Sequence, residues 1–408
     1  MTRKLDSCLL LALALSAFAW LPLVTPGYFM GAHDAPHSLF FLQAFDEVLR
    51  DGHWWPAWGP HFAFGYGYPL WIFYAPLAYY VGEAFHLLGA SITTAMKLVD
   101  LVATVGATVS MYLWARHHFG KPAAALAAVV YTVAPYHLLD LYVRSSGAEY
   151  FAFVFFPLVL WRWEVLLQLP SRRNAVLAAV VTAGLILTHQ GAAFIFAILL
   201  AAYLLFSLAQ LLRTEDGGRE TVNVARPPSV VRRLAYVFVA ALLTLGLSAI
   251  FWLPLLLEQK YIVVEQWTSV AYNYQKHFVF TNQFFSPFWG YGYSGEGLED
   301  GIGFQLGLMP MVGGIVALLS LRAKRSNPLT PVGDCFAKPV LSVVEGNARN
   351  DMRAMTVFFL IASIVIALAM SPVSATFWNA VPLASLVQFP WRLLALSTIT
   401  LAWLAGAA

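Results

Sequence analysis

The chain has 408 residues, of which 60% are hydrophobic and only 11% are charged. Soluble domains carry roughly 25% charged residues, so this composition excludes an ordinary soluble protein. The formal net charge of +3 indicates no class of partner, and nothing in the sequence supports nucleic-acid binding. The two cysteines provide no disulfide framework and no metal or redox site, because Cys8 lies in an apolar run and Cys335 in a polar one.

Apolar runs of about 20 residues recur along the chain and predict membrane-spanning helices. A bilayer offers no water to backbone groups, so each run has to be helical, and the strand alternation of an outer-membrane barrel is absent. The predicted fold is an all-α, polytopic transmembrane helix bundle with about ten spans and large extracytoplasmic loops that carry short interfacial helices. The predicted spans are 7–24, 93–115, 122–139, 150–168, 175–189, 191–212, 234–257, 303–322, 355–371 and 391–408.

The first apolar run, 7–24, follows Arg3 and Lys4, a pattern that signal peptides share. The residues after it, Thr25-Pro26-Gly27, lack a small-x-small cleavage site. This favours a retained signal anchor with its N-terminus inside over a cleaved leader, which is the alternative.

Positive charge is concentrated in a few segments between the predicted spans. These segments hold 18 of the 24 Lys and Arg residues, and the rest of the chain holds only 6. The positive-inside rule places all of them, and hence the N-terminus, in the cytoplasm. The segments are the N-terminus, 116–121, 162–174, 213–233 and 322–353.

The apolar stretch 69–89 is predicted not to cross the membrane. An odd number of crossings must separate the outer loop after span 7–24 from the cytoplasmic segment 116–121, and 93–115 supplies one. The stretch 69–89 also contains prolines, Glu83 and many aromatic residues, which suits an interfacial or re-entrant segment. The alternative is that it crosses and the charge rule is locally broken.

Residues 1–408 are predicted to form a single transmembrane domain. Within it, 325–352 is polar, contains prolines and shows no clear helical period, which indicates a flexible cytoplasmic loop or insertion. The chain ends at Ala408 inside an apolar run without a basic flank, which favours a C-terminally incomplete fragment over a helix that stops at the surface.

The first outer loop contains the candidate catalytic residue, Asp34. It follows the first span by about ten residues, so it should lie near the outer surface, where a carboxylate can take a proton from an incoming hydroxyl. A solvated loop acid is the alternative. His33 and His37 flank Asp34 and are predicted to bind substrate. A divalent metal is possible here, but Pro36 interrupts the pattern and no third ligand is evident, so no cofactor is predicted.

Ionisable residues at the predicted membrane edge are further candidates for substrate binding. Arg144 and Glu149 lie in the second outer loop, beside apolar helices, and an arginine fork can hold a phosphate. A headgroup anchor is the alternative for Arg144, and snorkelling to headgroups is the alternative for Arg392. His189 lies at an outer turn between two helices, where it either lines the same cavity or caps the turn.

Aromatic residues are dense in the first and third outer loops, the latter over 258–302. Trp58 and Trp289 are predicted to stack on a sugar ring, although aromatic belts at membrane interfaces are the commoner use of such residues. The patterns GxxxxGK[ST], GxGxxG and HExxH are absent from the sequence, so it gives no support to ATP hydrolysis, nicotinamide binding or zinc proteolysis.

The order of these motifs resembles that of the C-type, multi-spanning glycosyltransferases, and more closely that of bacterial YfhO-like membrane proteins, some of them labelled 6-pyruvoyl-tetrahydropterin synthase-related. The resemblance covers most of the chain except 325–352. It is carried by short motifs: His33-Asp34, Trp55-Pro56-Ala57-Trp58, Tyr142-Val143-Arg144 with Ala148-Glu149, and Gln388-Phe389-Pro390-Trp391-Arg392.

The resemblance implies a bacterial plasma (inner) membrane enzyme of the cell envelope that moves a sugar from a polyprenyl-phosphate donor to a lipid or glycan acceptor, with Asp34 as the base. The chain departs from the protein O-mannosyltransferases, which belong to the C-type group and have an aspartate in the second outer loop where this chain offers Arg144 or Glu149. Asp140 stands earlier, so its role is in doubt. The alternatives are a lipid or solute transporter or flippase, and a non-catalytic envelope-assembly protein.

Overall fold

A computed structural model describes residues 6–217, 228–263, 270–322 and 341–408. Within these ranges the structure is helical, and its one β-type pairing is an isolated bridge between Gly59 and Tyr68. The α-helices are α1 (Ser7–Leu15), α2 (Ala17–Trp20), α3 (Ala35–Arg50), α4 (Leu70–Phe73), α5 (Leu77–Leu87), α6 (Ile92–His118), α7 (Lys121–Thr132), α8 (Pro135–Leu139), α9 (Gly147–Ala152), α10 (Phe155–Gln168), α11 (Arg172–Thr188), α12 (Gln190–Gly217), α13 (Val230–Glu258), α14 (Leu308–Arg322), α15 (Leu341–Met370), α16 (Ala375–Ala380) and α17 (Leu394–Ala407).

Seven helical segments in the described part of the chain are long and apolar enough to cross a membrane, which confirms the prediction of an all-α, multi-pass membrane protein. Apolar side chains cover the outer surface of several of them, as lipid contact requires. The segments are Ser7–Val24, Ile92–His118, Lys121–Arg144, Gly147–Gln168, Gln190–Arg213, Val230–Tyr261 and Asp351–Met370.

The other three predicted spans form helices that are shorter than a full crossing. Helices α11, α14 and α17 have 17, 15 and 14 residues, whereas a perpendicular crossing needs about 20. Helix α17 is buried along nearly its whole length against α7, α14 and α15. A helix that is apolar on every side belongs inside a bundle, so the last apolar run is a central packing element.

The predicted outer loops meet at one end of the bundle and the predicted basic segments at the other. At the first end, the ring of His33 stacks on Tyr293, 4.3 Å between centroids. At the opposite end, Lys121 pairs with Asp6 at 3.3 Å, and Arg233 donates to the backbone of Gln168 at 3.3 Å. The two faces are therefore segregated as the charge pattern predicted, and the assignment of the basic face to the cytoplasm stays a prediction.

The stretch 69–89 forms two short helices, α4 and α5. Helix α5 has 11 residues, or roughly 16 Å at 1.5 Å per residue, about half of the hydrocarbon core. It packs against α3 and α6 instead of crossing the bundle. This geometry agrees with an interfacial segment.

The segment 325–352 differs in part from the predicted loop. Residues 325–340 lie outside the described residues, but α15 begins at Leu341 and runs without a break to Met370. Extending an existing helix costs little once its apolar part has formed, so a polar segment without its own periodicity can still be helical. The flexible part of the prediction therefore concerns 325–340 only.

A buried carboxyl group, that of Glu83, lies between α3 and α5 near the partly exposed Asp46. Glu83 is only 2% exposed, and neither of its carboxylate oxygens has a hydrogen-bond partner among the described residues. Burial, together with the negative charge of Asp46, raises the pKa of the Glu83 carboxyl from its ordinary 4.5 to about 7. The uncharged form of Glu83 is therefore the one that suits the folded state.

We expect the Glu83→Gln variant to melt higher than the wild type in alkaline buffer and similarly in acid. A raised carboxyl pKa stabilises the fold fully below the unfolded pKa, and this stabilisation is lost as the pH rises through about 7. Glutamine cannot ionise, so its advantage should reach a few degrees near pH ~8 and vanish near pH ~4. Thermal unfolding of the purified protein in detergent measures this, with the half-exposed Glu47→Gln as control. An equal shift at both pH values would contradict the assignment.

Candidate active site

Backbone hydrogen bonds join the first and second outer loops. His33 N–H donates to the carbonyl of Val143 at 3.0 Å, and Asp34 N–H donates to the carbonyl of Arg144 at 2.8 Å. These carbonyls are available because the preceding turn, Asp140–Arg144, is π-helical and ends at Ser145 with a φ of 52°. A regular helix would have used them internally. The irregular turn thus fixes the position of Asp34.

The Asp34 carboxylate is not used by the helix that follows it. Asp34 is the N-cap residue of α3, yet its side chain makes no capping hydrogen bond, although aspartate commonly makes one. The carboxylate is 48% exposed, and its Oδ1 lies 3.8 Å from Nδ1 of His37. It is therefore accessible to a proton donor from solvent.

A buried charge network lies directly behind this loop contact. Arg144, 5% exposed, donates to Asp140 Oδ1, to Glu149 Oε2 at 2.9 Å and to the hydroxyl of Tyr136 at 3.2 Å. The Tyr136 hydroxyl in turn donates to Glu149 Oε1 at 2.8 Å. The guanidinium also lies 4.9 Å from the ring of Trp391. The guanidinium of Arg144 donates to two carboxylates, so it is not free to hold a phosphate. This differs from the predicted role of Arg144 as a phosphate ligand.

Arg392 is the second cation of the network and is more accessible. Its Nε lies 3.9 Å from Glu149 Oε2, and its side chain is 19% exposed. Its Nη1 donates to Oε1 of Gln388 at 3.0 Å and to the carbonyl of Val387 at 3.3 Å. The Nε itself has no hydrogen-bond partner among the described residues. Two arginines and two carboxylates balance the charge, which a low-dielectric setting requires.

His189 caps the N-terminus of α12, which is one of the two roles that the sequence analysis predicted for it. Its Nδ1 accepts a hydrogen bond from Ala192 N–H at 2.9 Å, so in the neutral ring the proton sits on Nε2. Burial lowers the pKa of His189 to about 4, and the charges of Arg392 and Arg144 lower it further against the opposing effect of Glu149. Near neutral pH the ring is therefore uncharged and offers one N–H donor at Nε2.

The third outer loop reaches the first through tyrosines. His33 stacks on Tyr293 at an interplanar angle of 22°, and its Nε2 lies 3.4 Å from the carbonyl of Tyr291. Of the two predicted tryptophans, Trp289 packs against the hydrophobic core. Trp58 is 50% exposed and lies where a Cβ on Gly67 would stand.

Gly67 has a φ of +82°, so both its backbone and the Trp58 ring above it favour glycine. The Gly67 contact therefore sets the orientation of the Trp58 ring. Trp58 and Trp289 both remain sugar-stacking candidates.

The described residues include no group of three or more His, Cys, Asp or Glu side chains that could share a metal ion. Asp34 and His37 are close to each other, but a pair of ligands is too few for a closed or catalytic site.

Three members of the network were not among the predicted site residues: Tyr136, Asp140 and Trp391. The signal for two of them was present, because Tyr136, Asp140 and Arg144 follow one another at a spacing of four and so share one helix face. The aspartate of this set is 0% exposed and pairs with Arg144. The contact with Trp391 joins segments 247 residues apart and has no local signal.

Comparisons with known proteins found no matching family model and no match among curated proteins. Among solved structures, the chain is similar to the archaeal oligosaccharyltransferase AglB from Archaeoglobus fulgidus, solved with an inhibitory peptide and a dolichol-phosphate, at 14% identity and a TM-score of 0.48. It is also similar to ArnT from Cupriavidus metallidurans bound to undecaprenyl phosphate, at 14% identity and a TM-score of 0.43.

The match to AglB covers 98% of this chain and 49% of AglB, and the match to ArnT covers 98% of this chain and 77% of ArnT. The chain thus spans about half the length of the oligosaccharyltransferase. The resemblance to YfhO-like proteins stays a prediction.

We expect the Arg144→Gln variant to lose folding stability and not only a ligand contact. Removing one partner of a buried ion pair leaves uncompensated charge on Asp140 and Glu149 and typically costs about 3–5 kcal/mol. Thermal unfolding in detergent, with yield of monodisperse protein, measures the loss. The matched control is Arg50→Gln, which removes an exposed arginine from a surface pair with Asp46. An Arg144→Gln protein that melts with the control would show that the network is not structural.

Proposed function

We propose that the chain is a membrane glycosyltransferase that moves a sugar from a polyprenyl-phosphate donor to an acceptor hydroxyl on the outer face. One observation carries the proposal: the carboxylate of Asp34 is accessible and makes no capping hydrogen bond to its helix. The backbone N–H of Asp34 donates to the carbonyl of Arg144, whose side chain belongs to the buried network that includes Arg392. A carboxylate and a cation near one end of a membrane-spanning bundle support the proposal, because transfer from a lipid-linked donor needs a base and a group that stabilises the leaving phosphate.

In this proposal Asp34 takes the proton of the acceptor hydroxyl as its oxygen bonds to the anomeric carbon. The bond between that carbon and the donor's phosphate oxygen breaks, and the electron pair leaves with the polyprenyl phosphate. The attack comes from the side opposite the leaving group, so the anomeric configuration inverts. His37, 3.8 Å from the carboxylate, lies where it can receive or relay the proton.

The leaving phosphate gains charge as the bond breaks, and preorganised donors would stabilise it. Arg392 suits this role, because its side chain is 19% exposed, against 7% for that of Arg144. The Nε2–H of neutral His189 supplies a second donor. Arg144 and Glu149 act as positioning residues: Glu149 holds Arg392, and Arg144 holds the loop of Asp34.

The donor would arrive through the bilayer with its polyprenyl chain against the apolar outer surfaces of the helices. Its sugar would lie over the aromatic side chains of the first and third outer loops, Trp58, Trp289 and Tyr293 among them. The acceptor is a lipid or glycan on the outer face. No nucleotide site is required, because the activated sugar is carried by the lipid.

A transporter or flippase is the main rival, and an assembly protein without activity is the other. Coupled transport sites usually lie near the bilayer midplane. Here the ionisable groups Asp140, Arg144 and Glu149 lie at the outer ends of their helical segments, beside a surface loop. This placement favours chemistry at the membrane surface.

The Asp34→Asn variant tests the base. Asparagine keeps the size of the side chain but cannot take the proton, so we expect a loss of about 10²–10⁴-fold in the rate of sugar transfer. The measurement is transfer of labelled sugar from polyprenyl phosphate in membranes, with the exposed Asp51→Asn at the other end of α3 as control. Undiminished transfer by Asp34→Asn would refute the base assignment. If wild-type protein consumes no donor from a broad panel, the enzyme proposal itself fails.

The Arg392→Gln variant tests the phosphate contact. We expect a raised KM for the lipid-linked donor together with a lower kcat, because the cation would act on ground-state phosphate and more strongly on the leaving group. The loss of one charge-assisted contact corresponds to about 10-fold or more in kcat/KM. Steady-state kinetics at varied donor concentration measure both constants. A melting temperature equal to that of the wild type, unlike the lowered one expected for Arg144→Gln, separates an effect on binding from an effect on folding. Unaltered kinetics would remove Arg392 from the site.

A further inference from the structure

A cleft lies at the end of the bundle opposite the candidate active site, between α10, α11 and α13. It has a volume of about 580 Å³, which falls within the roughly 300–1,000 Å³ of small-molecule sites. Three arginines line it, Arg162, Arg173 and Arg232, one from each helix. Nothing in the proposed transfer reaction uses this cleft.

The three arginines have no carboxylate partner in the parts of the chain that the structure describes. Arg162 is oriented by Asn174, whose Oδ1 accepts from its Nη2 at 3.1 Å and whose Nδ2 donates to the carbonyl of Leu169 at 2.7 Å. The Nε of Arg162 is buried and has no hydrogen-bond partner among the described residues. Like charges that converge without a counter-charge repel one another, and a bound anion relieves that repulsion.

The first turn of α11 adds to the positive potential. Ser171 caps this 17-residue helix by accepting from Asn174 N–H at 3.3 Å, and it also lines the cleft. The backbone N–H groups and the dipole at a helix N-terminus favour an anion. The helix end and the three arginines therefore act in the same direction.

The remaining wall of the cleft is apolar, and it continues onto the lipid-facing surface. Leu169, Leu177 and Val165 line it. Leu169 is 64% exposed, and Val231, beside Arg232, is 77% exposed. A free phosphate ion would gain no favourable contact from these apolar side chains. A phospholipid would place its phosphate on the arginines and its glycerol and acyl carbons along the leucines.

We propose that this cleft binds the phosphate headgroup of an anionic phospholipid from the leaflet on the basic side of the membrane. The lipid is a bound structural partner at the junction of α10, α11 and α13, distinct from the lipid-linked donor at the other end. The proposal does not depend on the transfer reaction, so it stands or falls separately.

The test is native mass spectrometry of the full chain released from nanodiscs that contain phosphatidylglycerol and phosphatidylcholine in equal parts. Wild-type protein should retain phosphatidylglycerol in preference to phosphatidylcholine. The double variant Arg173→Gln with Arg232→Gln should reduce that retention about five-fold for each arginine removed. Melting temperatures in pure phosphatidylcholine nanodiscs establish that both proteins are folded.

The matched control is Arg172→Gln with Arg353→Gln. It removes the same charge from exposed residues at the same end of the bundle, and one of its sites adjoins Arg173 without lining the cleft. Retention unchanged in the control supports a defined site. Equal loss in both double variants means general surface attraction and overturns the proposal. A second arm adds inorganic phosphate alone, and displacement of the lipid at millimolar phosphate would assign the cleft to a free anion.

Discussion

The burial of Arg144 is the constraint on which the outer half of this protein depends. A guanidinium that is 5% exposed in a low-dielectric setting has to be compensated, and Asp140, Glu149 and Tyr136 do so. The arginine stands at the end of a π-helical turn, Asp140–Arg144, and this turn leaves two carbonyls open. Those carbonyls hold the backbone of Asp34, so the candidate base stands where the charge network puts it.

The bilayer accounts for the rest of the bundle in a different way. Helices with exposed apolar surfaces, such as α13 and α15, face lipid, while α17 is enclosed and sits among α7, α14 and α15. The short helices α3 to α5 form the outer layer, and α5 is too short to cross. The sequence motifs around Gln388 and Arg392 matter because they lead directly into α17, which anchors Arg392 beside Glu149.

The molecule is electrostatically polarised between its two ends. At the outer end, two arginines are neutralised by two carboxylates and Asp34 stands apart from them with an accessible side chain. At the other end, Arg162, Arg173 and Arg232 converge without carboxylates in the described chain. The compensated network fixes the position of the Asp34 loop, and the uncompensated arginines form the cleft in which we propose that an anionic phospholipid binds.

The sequence by itself determined the class of protein, the existence of the helices, the segregation of basic segments from aromatic loops and the place of Asp34 after the first span. These depend on local composition and on the cost of exposing backbone to lipid, both readable from neighbouring residues. Tertiary structure alone decided that Arg144 is buried, that α17 is central, and that Tyr293 meets His33. Each of these depends on contacts between distant segments, and such pairings leave no local periodicity to read.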